Sequence, residues 1–198
     1  MKEIRYLFLS DISDTDLTKT FYAMSPMRRQ KVLKALRDTD KKMTLAGEFL
    51  ARQMIETHFG IPFDKMEISE TEKGKPFVLD FPLYFSISHS GDMVAVAISD
   101  TEIGIDIQKC RPVSVNLVKR VCKANELSYV LGKMPEKEPL SDVQMERFFE
   151  IWTAKEAYFK CIGTGITRFQ RVDTFSKELE KEKIKIGDYI LHTVTIKR

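Results

Sequence analysis

VQMERFFEIWTAKEAYFKC, residues 143–161, is the stretch on which the fold turns. Phe148, Ile151, Trp152, Tyr158 and Phe159 recur along it at the intervals of a helix, and Gly163 and Gly165 follow as stops. This is the strongest helix in the chain. Beyond it, residues 172–175, 183–186 and 189–196 read as strands joined by charged or glycine-containing turns. Before it come a strand at 103–107, helices expected near 115–121 and 126–131, and a loop-like stretch, GKMPEKEPLSD. The same order of helix then sheet holds further upstream. From Ser25, the apolar residues Val32, Leu33 and Leu36, then Leu45, Phe49, Leu50 and Met54, mark two helices broken near Asp38 to Asp40, with Gly60 and Pro62 ending the second. Short strands are expected at 66–68, 76–78, 84–88 and 93–98, with KGKP at 73–76 as a turn. Helix followed by sheet, twice over, predicts an α+β protein in two halves, 1–101 and 102–198, divided at the polar connection SDTE.

Composition narrows the function. With 198 residues, 43% hydrophobic and 31% charged, the chain has material for a core, which excludes disordered, collagenous and low-complexity classes. Thirty-two Lys plus Arg against 29 Asp plus Glu leave +3, too small an excess for coating a nucleic acid. The longest apolar run, Met93 to Ile98, is six residues, whereas a membrane-spanning helix needs about 20. Tyr6 to Leu9 is shorter than the roughly 7 to 15 residue core of a secretory signal and is followed by Asp11, Asp14 and Asp16, so a cytosolic location is expected. Cys110, Cys122 and Cys161 form no Cys-x-x-Cys pair and have no histidines at zinc spacing; they read as reduced and structural.

Four segments carry side chains suited to chemistry. In IGIDIQ, 103–108, the strand period of two sends Ile103, Ile105 and Ile107 to one face and Gly104, Asp106 and Gln108 to the other. On the WTAKEAYFK helix, Trp152, Glu156 and Lys160 are four residues apart and share a stripe, with Lys155 on its neighbour. In isolation, the first is an ordinary solvated aspartate and the second a Glu–Lys pair worth about 0.2–0.5 kcal/mol beside a core tryptophan. SISHS, 86–90, sets Ser88, His89 and Ser90 where a strand is expected to give way to a turn, with hydroxyls and an imidazole available to a phosphate. EKGKP offers Lys73 and Lys75 at a glycine turn, which alone is a solvated hairpin tip.

Taken in order, SPMRRQK, TLAGEFLAR, EKGKP, FSISHSG, IGIDIQ, KANE and WTAKEAYFK make the chain resemble the 4'-phosphopantetheinyl transferases, specifically the larger, pseudo-dimeric type that activates nonribosomal peptide synthetases. The resemblance covers nearly the whole chain. It implies two similar α+β halves related by a pseudo-twofold axis, the first bearing phosphate clamps and the second the metal. It also implies a monomer that moves the phosphopantetheine arm of coenzyme A to a serine of an acidic acyl or peptidyl carrier protein, releasing adenosine 3',5'-bisphosphate. Such a displacement at phosphorus chiefly needs positioned positive charge and a hard cation. Magnesium is the implied metal, since it takes oxygen ligands and keeps several waters.

By position, the resemblance assigns Asp106 and Glu156 to the metal, Glu156 also to the serine proton, Lys160 to the leaving group and Lys155 to the diphosphate. It assigns Arg28, Lys31, Ser88 and His89 to the 3'-phosphate of coenzyme A, Lys75 to a contact near the adenine, and Glu126 to the neighbourhood of the metal. Trp152 is mainly packing. The carrier is expected at 134–140 and the helix starting near Val115. The chain departs from the family's usual pattern at three places: Gln108 stands where the third metal ligand is usually Glu, Met43 where an Arg often precedes Thr44, and Ser86 where Asn is usual. Gln108 and Met43, together with a C-terminus expected to stop short of a last strand, motivate the alternative of a coenzyme A-binding homologue that transfers nothing.

Overall fold

Ser141 opens the long C-terminal helix with a reciprocal cap: its hydroxyl accepts the Gln144 amide at 3.3 Å while the Gln144 side chain accepts the Ser141 amide at 3.0 Å. Gly163 closes that helix in the left-handed conformation at φ 66°, and Gly60 closes its N-terminal counterpart in the same way at φ 67°. The computed structural model describes residues 1–132, 139–165 and 169–196, and divides into two compact units, Met1–Ile103 and Gly104–Arg198.

The first unit contains β1 (Lys2–Phe8), α1 (Asp14–Ala23), α2 (Pro26–Lys34), α3 (Asp38–Phe59), β2 (Ile68–Glu70), β3 (Pro76–Val78), β4 (Tyr84–Ser90) and β5 (Met93–Ser99). Its main sheet has the order β1-β5-β4, antiparallel throughout, with β2 and β3 forming a separate hairpin. The apolar side of α3 packs on β4 and β5, so that Leu50, Met54 and Ile55 join Phe85, Val96 and Ile98 in the core. β5, MVAVAIS, is the central strand and is buried along its whole length, as its unbroken apolar run MVAVAI suits.

The second unit is built from β6 (Ile103–Lys109), α4 (Val115–Val121), α5 (Ala124–Leu131), α6 (Asp142–Ile162), β7 (Leu179–Ile186) and β8 (Tyr189–Ile196), its sheet ordered β6-β8-β7. Helix α6 lies on β8, and Phe148, Phe149 and Ile151 share a core with Val118, Val121, Val130 and Ile190. Each unit therefore sets one long helix against a three-stranded sheet, the α+β arrangement in two similar halves.

Several elements differ from expectation. β1 and α1 carry no strong periodic signal, yet both form. β2 begins two residues later than expected, and β4 runs on to Ser90, so the hairpin turn is Gly91–Asp92, with Gly91 at φ 59°. Residues 172–175 are not a strand: the Phe175 amide donates to Asp173 Oδ1 at 2.9 Å and the Thr174 amide to Glu126 Oε1 at 2.9 Å, so neither is used in a ladder. The three cysteines are free; burial raises the thiol of Cys122 to about 12 and that of Cys110 to about 11. Among the described residues, no helix is long and apolar enough to cross a membrane.

Candidate active site

Gly104 brings the chemistry together. A Cβ at this position would collide with the Ala157 carbonyl and the Cys161 amide, so α6 rests directly on the β6 backbone there. The face of β6 that carries Gly104 consequently meets the stripe of α6 that carries Glu156 and Lys160. Asp106 is 2% exposed, and its Oδ1 accepts from Lys160 Nζ at 2.7 Å while its Oδ2 accepts from Gln108 Nε2 at 3.3 Å. Glu156 is 7% exposed. Burial, and next the negative charge of Asp106, push its carboxyl up to about 7, with Lys160 acting in the opposite direction. The charge of Asp106 beside the buried Glu156 makes a donor set that a hard cation would relieve, and Gln108 adds an amide beside them. Among the described residues no cluster of three or more His, Cys, Asp or Glu could hold a metal, so this pair would leave much of the coordination shell to substrate and water.

Lys155 has a different place. It is wholly buried, and its ammonium donates to the Val121 carbonyl at 2.9 Å and the Phe169 carbonyl at 3.0 Å and pairs with Glu126 at 2.5 Å. An ammonium has three protons, and these three acceptors use them. Glu126 is equally committed: Oε1 accepts the Thr174 amide and hydroxyl, both at 2.9 Å, and Oε2 the Lys123 amide at 2.7 Å. Lys155, expected at the diphosphate, and Glu126, expected near the metal, are thus paired with each other in this structure. The pair is a buried clamp joining α4, α5 and the segment 169–174 to α6, one residue from Glu156. Trp152 packs as expected, 4.9 Å from Phe169 and 5.8 Å from Phe148 between ring centres. Leu117, Arg120, Trp152, Phe169 and Arg171 line a cleft of about 570 Å³.

In the first unit, Arg28 is buried between carboxylates. Its Nε donates to Glu48 Oε2 at 2.7 Å and its Nη1 pairs with Glu70. Lys31 Nζ reaches both oxygens of the same Glu70, at 3.0 and 3.1 Å. Glu48 is fixed from its other side by the buried Arg52, which also donates to the carbonyls of Phe63, Met66 and Ala23. The expected phosphate clamp is thus a pair of cations brought together around a carboxylate. Sequence reading missed Glu70 because nothing local links it to residues some 40 positions earlier. Ser88 is buried and His89 exposed; as consecutive strand residues, their side chains leave opposite faces of β4 instead of sharing a turn. Lys75 lies in the β2–β3 hairpin turn, its amide donating to Thr71 Oγ1 at 3.1 Å. Met43 and Ser86, two of the departures noted above, are buried.

Comparison with known proteins agrees with this architecture. Residues 102–193 match the 4'-phosphopantetheinyl transferase superfamily, and residues 11–101 match the family described as 4'-phosphopantetheinyl transferase, N-terminal. The chain is 33% identical over 160 residues to the 4'-phosphopantetheinyl transferase Sfp of Bacillus subtilis (strain 168), an alignment covering 80% of this chain and 68% of that one. It is 32% identical over 170 residues to the transferase ffp of Bacillus subtilis, covering 85% and 71%. Against psf-1 of Bacillus pumilus the identity is 37% over 130 residues, covering 65% and 53%. The chain belongs to the 4'-phosphopantetheinyl transferase family, a family of transferases.

Proposed function

We propose that this protein, as a cytosolic monomer using magnesium, transfers the 4'-phosphopantetheine arm of coenzyme A to a serine of an apo acyl or peptidyl carrier protein. The observation that carries the reading is the convergence of Asp106, Glu156 and Lys160 where α6 rests on Gly104. Magnesium, when bound by Asp106 and Glu156 with Gln108 alongside, supplies positive charge to the diphosphate. Glu156 is the group placed to accept the proton of the attacking serine. The serine oxygen forms its bond to the pantetheine-side phosphorus as the bond from that phosphorus to the bridging oxygen breaks. The electron pair leaves on adenosine 3',5'-bisphosphate, and the ammonium of Lys160 offsets its charge. Lys155 takes no part in these steps and holds α6 in place.

The family resemblance supports Arg28, Lys31, Ser88 and His89 as contacts of the 3'-phosphate and Lys75 as a contact near the adenine. It also supports α4 as the place where an acidic carrier docks; Arg120 and Arg171 give the cleft beside it the appropriate sign. The other part of the expected docking surface, residues 134–138, lies outside the described residues.

The test is incubation of the purified protein with magnesium, coenzyme A and a panel of apo carrier proteins, read by intact mass. Addition of the arm to at least one carrier is expected. No addition to any of them, while a known transferase modifies them in parallel, would overturn the reading.

A further inference from the structure

The cations assigned to the 3'-phosphate already hold an anion from the protein itself. Glu70 ends β2, and its side chain is only 15% exposed; Oε1 pairs with Arg28 and lies 3.0 Å from Lys31 Nζ, with Oε2 3.1 Å from the same nitrogen. Arg28 cannot swing away to escape it, because its Nε is held by the fully buried Glu48, which Arg52 holds in turn. Lys31, 60% exposed, is the member open to solvent. Arg28, Lys31 and Arg52 against Glu48 and Glu70 make three positive charges against two negative, a net +1 for the cluster. With Glu70 neutral the cluster would carry +2.

We propose that Glu70 is a specificity-determining residue that weakens this chain's preference for a donor bearing a 3'-phosphate. The inference rests on the transferase reading above. A dianionic phosphate approaching Arg28 and Lys31 meets a carboxylate that satisfies the same donors, and must either displace it or share the cations at a cost of like-charge repulsion. A donor with a free 3'-hydroxyl encounters no such conflict. The chain therefore accepts coenzyme A and 3'-dephospho-coenzyme A with a narrower gap than two unopposed cations would impose.

The experiment compares kcat/KM for the two donors with one carrier and reads their ratio, coenzyme A over dephospho-coenzyme A, in the wild type and in Glu70→Gln. Because both donors are measured on the same preparation, the ratio is insensitive to the folded fraction. A rise of about tenfold in Glu70→Gln is expected. A purely structural role for Glu70 would lower both values together, and a ratio unchanged within threefold overturns the proposal. Lys31→Met provides a second reading should the Glu70 variant not fold: removing the open cation while Glu70 remains is expected to lower the ratio at least fivefold, and an unchanged ratio again overturns the proposal. Absence of transfer from either donor by the wild type sinks the transferase reading and this inference with it. Transfer whose donor ratio is indifferent to Glu70 sinks the inference alone.

Discussion

Gly104 offers no side chain to chemistry, yet a single methyl group there would separate the two elements proposed to carry it. Because a Cβ would strike the backbone of α6 at Ala157 and Cys161, the helix must retreat in Gly104→Ala. Overpacking of this kind costs about 1–3 kcal/mol. The expected result is a lower melting temperature together with at least a hundredfold loss of arm transfer, measured by calorimetry and by intact mass. Glu156→Gln, in contrast, leaves the packing alone and removes the proposed proton acceptor. Its transfer rate is expected to fall by about 10²–10⁴-fold with the fold intact, as judged by circular dichroism and single-turnover kinetics. Retention of more than a tenth of the wild-type rate would exclude Glu156 as the base.

At the scale of elements, the Lys155–Glu126 clamp sets the rotation and height of α6 and so aims its neighbour Glu156. Removing one partner of a buried pair strands the other charge, at a cost of about 3–5 kcal/mol, whereas removing both is far less damaging. Lys155→Met is thus expected to be strongly destabilised in urea, and Lys155→Met with Glu126→Gln to recover much of the loss. A lysine serving the diphosphate would behave in the opposite way, losing activity without losing stability. Lys155 shares its strong local signal with Glu156 and Lys160, since all three lie in one motif on one helix. What separates their roles is the position of the Val121 and Phe169 carbonyls, which no helical period encodes.

For the whole molecule, two buried groups of the second unit oppose each other in the pH dependence of stability. His192 sits against Thr153 Oγ1 at 2.7 Å, and burial depresses its pKa to about 3. The unfolded chain protonates this histidine near 6.5 and the folded one does not, so its contribution is complete above 6.5 and is lost as pH falls toward 3. Glu156 has the reverse sign: raised from 4.5 to about 7, it keeps its proton in the fold, and stability declines as pH rises across that interval. Each slope is at most about 1.4 kcal/mol per pH unit, and between 4.5 and 6.5 they offset. Denaturant titrations of the metal-free protein are expected to show Glu156→Gln gaining on the wild type as pH rises from 4.5 to 7. His192→Asn is expected to gain on the wild type as pH falls from 6.5. Parallel curves for all three proteins would refute both assignments.

Read alone, the sequence was enough for the α+β class and for the helices and strands with a local period: α4 at Val115–Val121, α6 within a residue at each end, β3 at Pro76–Val78 and β8 at Tyr189–Ile196. Asp106, Glu156 and Lys160 came into one hypothesis through the resemblance carried by seven segments in order; the strand period and the helix stripe by themselves gave a solvated aspartate and a Glu–Lys pair beside a core tryptophan. β1 was not legible, since its pairing with β5 joins residues more than 80 positions apart, and neither was the turn at 172–175, where side-chain acceptors outcompeted a ladder. The capture of Lys155 by Glu126, and of Arg28 and Lys31 by Glu70, was likewise decided only in three dimensions. A charge's role depends on which opposite charge reaches it through a low-dielectric interior, and that distance belongs to the packed fold and not to any interval along the chain.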